Sequence, residues 1–178
     1  MECSFALTGK DYVIIAADTT ASRSIVKMKI DEDKIKTLSP HLLMAYSGES
    51  GSSRPRSLPK MDLKKPRFLY PRVRRLTIDP RAGDTIQFAE FIERNIRLYH
   101  IRNFYPLRPQ SAASWIRRSL AESLRSRSPY TVNLLIGGYD TAEESPHLYW
   151  VDYLGTMASV PFAAHGYGSY FALSLLDR

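Results

Sequence analysis

The chain has one cysteine, Cys3, in 178 residues. That excludes an internal disulfide framework and fits a reducing compartment. Its four histidines (His41, His100, His147, His165) are scattered, and with one thiol they form no metal-ligand spacing. Neither a metal nor any other cofactor is expected. No apolar run approaches the roughly 18 residues of a membrane span. The opening Met1-Glu2-Cys3-Ser4-Phe5 has no basic stretch ahead of an apolar one, so no secretory signal is expected. What is present is the composition of a folded chain, with 44% hydrophobic, 11% aromatic and 24% charged residues. Its length suits one domain with a sizeable core better than two.

The net charge of +7 is unevenly placed. Residues 52–82 hold ten Lys and Arg against Asp62 and Asp79, and five of the eleven prolines. Outside that segment, 15 basic side chains face 16 acidic ones, so all the excess cation sits in one stretch of foreign composition. Prolines recurring there every four to nine residues remove amide donors wherever a helix or ladder would form. The segment is expected to be a solvated, poorly ordered excursion between a strand and a helix.

Elsewhere the pattern alternates between two periods. Cys3, Phe5 and Leu7 alternate with Ser4, Ala6 and Thr8 as in a half-buried strand. A turn at Gly9-Lys10-Asp11 then leads into an apolar run from Tyr12 to Ala17. Short β-like stretches cover Ile25 to Met28 and Lys34 to Leu38, and Leu42 to Ser47 is a further strand ending at Gly48. This meander-like spacing favours antiparallel pairing. After Ala82 the period lengthens. Asp84 and Gln87 resemble a capping box, and Phe88, Ile92, Ile96 and Tyr99 line one face of a helix ending near Arg102. A second helix opens at Pro109, carries Ala112, Ile116, Leu120 and Leu124 with Trp115 beside them, and is stopped by Pro129. Val132 to Ile136 and Leu148 to Tyr153 are expected as strands separated by Gly137-Gly138 and a polar turn. Ser169 opens a third helix that runs to the end of the chain at Arg178, as if interrupted. Strands, two helices, more strands and another helix imply α+β layering.

Four ordered motifs carry a resemblance. Asp11-Tyr12-Val13-Ile14-Ile15-Ala16-Ala17-Asp18 resembles the second strand of proteasome β subunits. Ser47-Gly48-Glu49-Ser50-Gly51, taken up again at Asp84-Thr85-Ile86-Gln87, resembles that family's junction into its first helix. Tyr130 to Asp140 and Pro161 to Gly168 are similar to the non-catalytic β4 type in particular. The resemblance implies a single domain over residues 1–178, interrupted at about 52–82. Its fold would be a four-layer αββα sandwich of the N-terminal nucleophile hydrolase type, incomplete at its C-terminus. It also implies a hetero-oligomeric core particle of β and α subunits, in cytoplasm and nucleus. Exposed helix faces bearing Arg94, Arg97, Trp115 and Arg118 are candidate contacts, though each reads more simply as an ordinary solvated or core residue.

In catalytic members of that family an N-terminal threonine attacks the peptide carbonyl with its own amine as proton acceptor. An Asp–Lys pair tunes it, and a glycine amide stabilises the oxyanion. The matching positions here are Asp18, Lys34 and Gly48, which are expected to be vestigial supports of the fold. Counting back from Asp18 places Glu2 where the threonine would stand, and glutamate has no β-hydroxyl. Gly166-Tyr167-Gly168 offers a tyrosine in place of a catalytic-site serine. The expected function is therefore structural. One alternative is an autonomous hydrolase using Cys3, which needs removal of two residues and a register slip onto the other sheet face. The other is nucleic-acid binding through 52–82, where ten cations lie near Phe68 and Tyr70 but no recognition module is present. The sharp edges of that segment favour a translated intron over a lineage-specific loop, and either over a nucleic-acid arm.

Overall fold

A computed structural model describes residues 3–23, 26–48 and 83–178. The basic segment 52–82, Glu2 and Ile25 therefore lie outside the described residues. In chain order the elements are β1 (Cys3–Thr8), β2 (Val13–Ala17), β3 (Ala21–Arg23), β4 (Val26–Lys29), β5 (Ile35–Ser39) and β6 (Leu42–Gly48), then α1 (Asp84–Asn103) and α2 (Pro109–Leu124). They continue with β7 (Val132–Asp140), β8 (Ser145–Val151), β9 (Met157–Ser159), β10 (Phe162–Gly166) and α3 (Ser169–Leu176). All pairing is antiparallel. A five-stranded sheet runs β5-β6-β7-β8-β9, a three-stranded sheet runs β10-β1-β2, and β3 and β4 form a hairpin.

Alternation along the central strands builds the layers. Met44, Leu134, Ile136, Tyr149 and Val151 face α1 and α2, where they meet Phe88, Ile92, Ile116 and Leu120. Ala45, Leu135 and Leu148 face the opposite way, onto Ala6 and Ala163 of the three-stranded sheet. Because both faces are covered, β6 and β7 are near-continuous apolar runs. α3 lies against β1 and β10 on the far side. The order is thus helices, sheet, sheet, helix, the expected αββα sandwich.

Several details differ from the sequence pattern, each for a physical reason. In β1 the buried residues are Ser4 and Ala6, not Cys3, Phe5 and Leu7. Ala6 packs there with Ala45, Leu135 and Leu148, while Cys3, Phe5 and Leu7 share the opposite face, on which Cys3 meets Gly168 at the start of α3. Gly137 and Gly138 do not end a strand but continue inside β7. A Cβ on Gly137 would lie 2.7 Å from Val13 Cγ1, and one on Gly138 would lie 3.0 Å from Pro109 Cγ. The pair lets the second sheet and the start of α2 close on the same strand. The turn comes at residues 141–144 instead, and β8 stops at Val151. Beyond it the Asp152 carboxylate accepts from the amides of Leu154 (3.0 Å) and Thr156 (2.8 Å), which folds the chain back. The N-cap of α1 is Gly83 and not Asp84, which stands in the first turn, where its charge suits the helix dipole. α2 ends at Leu124, ahead of Pro129, as the Ser126 amide donates to the Ser123 carbonyl at 2.9 Å.

His165 is enclosed between the sheets. Its ring stacks on Trp150 at 5.3 Å, and Nε2 lies 3.2 Å from the Leu134 carbonyl oxygen. An acceptor there requires the Nε2–H tautomer. Burial holds the imidazole pKa below its ordinary 6.5, against weaker opposing effects of the Leu134 and Val151 backbone and the Asp152 charge. A His pKa depressed by folding means the unfolded chain takes up the proton first. Stability is therefore full above about 6.5 and falls as pH drops below it, by at most about 1.4 kcal/mol per pH unit. In urea unfolding of the purified chain, His165→Gln should flatten this slope while keeping an amide donor for Leu134. An unchanged slope would assign the acid sensitivity to other groups.

Candidate functional site

The starts of β1 and β5 and the ends of β2 and β6 gather at one end of the sandwich. Antiparallel pairing sets Ser4 opposite Ala17 and Cys3 opposite Gly166. Asp18, the residue after β2, thereby comes beside Cys3 at the start of β1. Its backbone amide donates to the Cys3 carbonyl, and its Oδ1 accepts from the Cys3 amide, both at 2.9 Å. Lys34, just before β5, reaches across from the other sheet. Its Nζ donates to the same Asp18 Oδ1 and to the Thr20 carbonyl, each at 2.9 Å.

Lys34 is buried, with 4% of its side chain exposed, while Asp18 keeps 28%. Burial alone would raise the Asp18 pKa. The Cys3 amide, the Lys34 hydrogen bond and charge and the Thr20 backbone outweigh it, and hold the carboxyl below its ordinary 3.8. Around the pair the backbone is firmly tied. The Lys34 carbonyl accepts from the Tyr46 amide at 3.1 Å, and the Tyr46 hydroxyl donates to the Asp33 carbonyl at 2.7 Å. Burial, helped by the charges of Glu32, Asp33, Glu90 and Glu93, pushes the Tyr46 phenol up to about 12.

Gly48 follows two residues after Tyr46, paired with Val132 at the end of β6. A Cβ there would strike the Thr131 carbonyl oxygen and lie 3.0 Å from Thr85 Oγ1. Glycine is required at this point by close packing of β7 and α1. Structure thus brings Asp18 and Lys34 into direct contact and places Gly48 at the same end, while Glu2 lies outside the described residues. Three participants carry no sequence signal: the Cys3 amide, the Thr20 carbonyl and the Tyr46 hydroxyl. The first two are backbone groups, which no residue pattern marks.

Cys3 uses its amide, not its thiol, toward Asp18. Its Sγ packs against Gly168, at the start of α3, on the face of β1 away from buried Ser4. Tyr167 is exposed on the adjoining turn. Of the candidate contact residues, Arg94, Arg97 and Arg118 pair within their own helices with Glu90, Glu93 and Glu122. Trp115 stacks on Phe91 at 6.0 Å.

Among the described residues one cluster has the composition of a metal site, Asp140, Glu143 and His147. Its charge is met by Arg108, whose Nε lies 2.8 Å from Asp140 and Nη2 2.6 Å from Glu143. The Arg108 hydrogen bond leads the effects that lower the Asp140 pKa. The cluster is an ion-pair clamp from the N-cap of α2 to the β7–β8 hairpin.

The family model described as proteasome subunit matches residues 2–54 and 78–178. The probable proteasome subunit beta type-4 of Neurospora crassa is 43% identical over 178 residues, the whole of this chain and 72% of that protein. Proteasome subunit beta type-4 of Saccharomyces cerevisiae is 41% identical, again over the whole chain and 74% of its own length. Proteasome subunit beta type-2-B of Arabidopsis thaliana is 40% identical over the whole chain and 72% of its length.

Proposed function

Because this chain belongs to the proteasome subunit family, as a β-type member, we propose that it serves as a non-catalytic structural subunit of the core β ring. In this reading it packs with other β and α subunits in the hetero-oligomeric particle that degrades ubiquitin-marked proteins, in cytoplasm and nucleus. It corresponds to the β4 type, also named beta type-2.

One observation carries the non-catalytic assignment. The Asp18–Lys34 pair is intact, but its shared oxygen holds the amide of Cys3, and the residue before Cys3 is glutamate. An N-terminal nucleophile needs a hydroxyl or thiol presented to this pair, with a free amine beside it, whereas glutamate at position 2 has neither group and the Cys3 thiol turns to Gly168. Here the pair acts as a clamp that ties the first strand to the second sheet. Asp18, Lys34 and Gly48 are vestigial catalytic positions with a retained structural purpose.

Neither alternative gains support. The Cys3 thiol faces α3 and not the Asp18–Lys34 pair. The part of the chain that the family match leaves out, 55–77, lies within the basic segment. That gap supports a single domain over 1–178 interrupted by an unrelated insertion at about 52–82.

The test is native size fractionation with peptide mapping of the heavy particle, combined with a covalent probe for N-terminal threonines. This chain should co-migrate with the particle and stay unlabelled while catalytic neighbours react. Labelling of this chain would overturn the non-catalytic reading, and its absence from the particle would overturn the ring-subunit reading. A peptide joining Gly51 directly to Gly83 or Asp84 would identify the intervening residues as a translated intron, and peptides from 52–82 within the particle would make that segment a real loop.

A further inference from the structure

We propose that Ser128 is an acceptor site for a proline-directed serine protein kinase. The sequence contains three Ser-Pro dipeptides, at Ser39, Ser128 and Ser145, and no Thr-Pro. The fold separates them sharply. Ser39 is the last residue of β5, registered against Leu42, and its hydroxyl oxygen is buried. Ser145 is the first residue of β8, registered against Asp140, with its hydroxyl 3.0 Å from His147 Nε2. A kinase would have to unpair a strand to reach either. Ser128 instead lies on the strap between α2 and β7, where every residue from Leu124 to Pro129 is exposed.

The strap has the properties a kinase cleft demands of a substrate segment. Pro129 disfavours helical backbone at Ser128 and contributes no amide donor of its own. The hydrogen bonds along the strap include the Ser126 amide to the Ser123 carbonyl at 2.9 Å, the Ser128 amide to Ser126 Oγ at 3.3 Å, and the Tyr130 amide to Ser123 Oγ at 3.4 Å. Presenting Ser128 breaks no strand pairing, unlike presenting Ser39 or Ser145. Arg125 and Arg127 flank the serine on its N-terminal side, and neither joins an ion pair among the described residues. Charge patterns of this kind select kinases by complementarity with an acidic groove.

In the transfer, Ser128 Oγ attacks the γ-phosphorus of ATP and gives its proton to the kinase's base. The new O–P bond forms as the bond to the departing ADP breaks. The product places about two negative charges beside two arginines, so the strap loses its net positive charge.

The chain, both free and in the particle that contains it, would be incubated with a proline-directed kinase and ATP, and the phosphate mapped by mass spectrometry. Phosphate on Ser128 in either form is the expected result. Ser128→Ala and Pro129→Ala should each cut incorporation at least about tenfold, whereas Ser126→Ala should leave it within about twofold. Phosphate mapped to Ser39 or Ser145, incorporation surviving Ser128→Ala, or none in either form while a control peptide is phosphorylated would overturn the proposal.

Discussion

Truncating Phe88 to alanine is expected to destabilise the chain by about 3–5 kcal/mol, the range for removing a fully enclosed phenyl ring. Phe88 is 1% exposed, on the face of α1 that meets the five-stranded sheet. Its ring lies 5.0 Å from that of Tyr130 and 6.3 Å from that of Phe91. Truncation would forfeit the transfer energy of the ring and leave a cavity in close-packed surroundings that relax only partly. Phe88 also lies one helical turn from Asp84, where the chain returns after residues 49–82. Its burial is what fixes the start of α1 over the sheet. Typical domains hold only about 5–15 kcal/mol in total, so the loss takes a large fraction of the stability. Urea unfolding monitored by Trp115 and Trp150 should show it as a midpoint lowered by about 2 M. Phe91, 44% exposed and stacked on Trp115, is the control. Phe91→Ala should cost only about 1 kcal/mol, the scale of an aromatic pair. Equal losses from the two would mean that α1 is not seated by the Phe88 face.

That α1 face is legible in the sequence because Phe88, Ile92 and Ile96 recur at helical spacing and nothing else competes for them. β6 and β7 are legible for a related reason: covered on both sides, they are apolar throughout. Where the residue pattern misleads, a neighbouring layer decides the matter. Ser4 and Ala6 turn inward, Ala6 onto Ala45, Leu135 and Leu148 of the opposing sheet. Gly137 and Gly138 stay in a strand because Val13 and Pro109 fill the space a side chain would take. Three-residue strands such as β3 and β9 are too short to show a period, and β10 is recognised only through its partner β1. The site divides in the same way. Asp18 and Lys34 are found by resemblance, since no local pattern joins residues sixteen apart on different sheets. Their backbone partners at Cys3 and Thr20 emerge only when the strands are set in register.

Replacing Lys34 by methionine tests whether the clamp is structural. Breaking a buried ion pair by removing one partner costs about 3–5 kcal/mol, because the remaining charge is stranded. Here the Asp18 side chain retains 28% exposure, so water recovers part of its solvation and about 2–3 kcal/mol is expected. Methionine keeps much of the lysine stem, which confines the loss to the charge and its hydrogen bonds. The pH dependence identifies the mechanism. A carboxyl whose folded pKa is depressed contributes stability above its unfolded value near 3.8, and that contribution is lost as pH falls through the folded value. The gap between the parent chain and Lys34→Met should therefore be widest near neutrality and narrow below about pH 4. Adding Asp18→Asn should recover part of the loss, since the asparagine carbonyl still accepts the Cys3 amide and no charge is left unpaired. Additive effects of the two substitutions in a double-mutant cycle would show that they act independently. The clamp would then be no more than a proximity, and stability would not explain why Asp18 and Lys34 stand together.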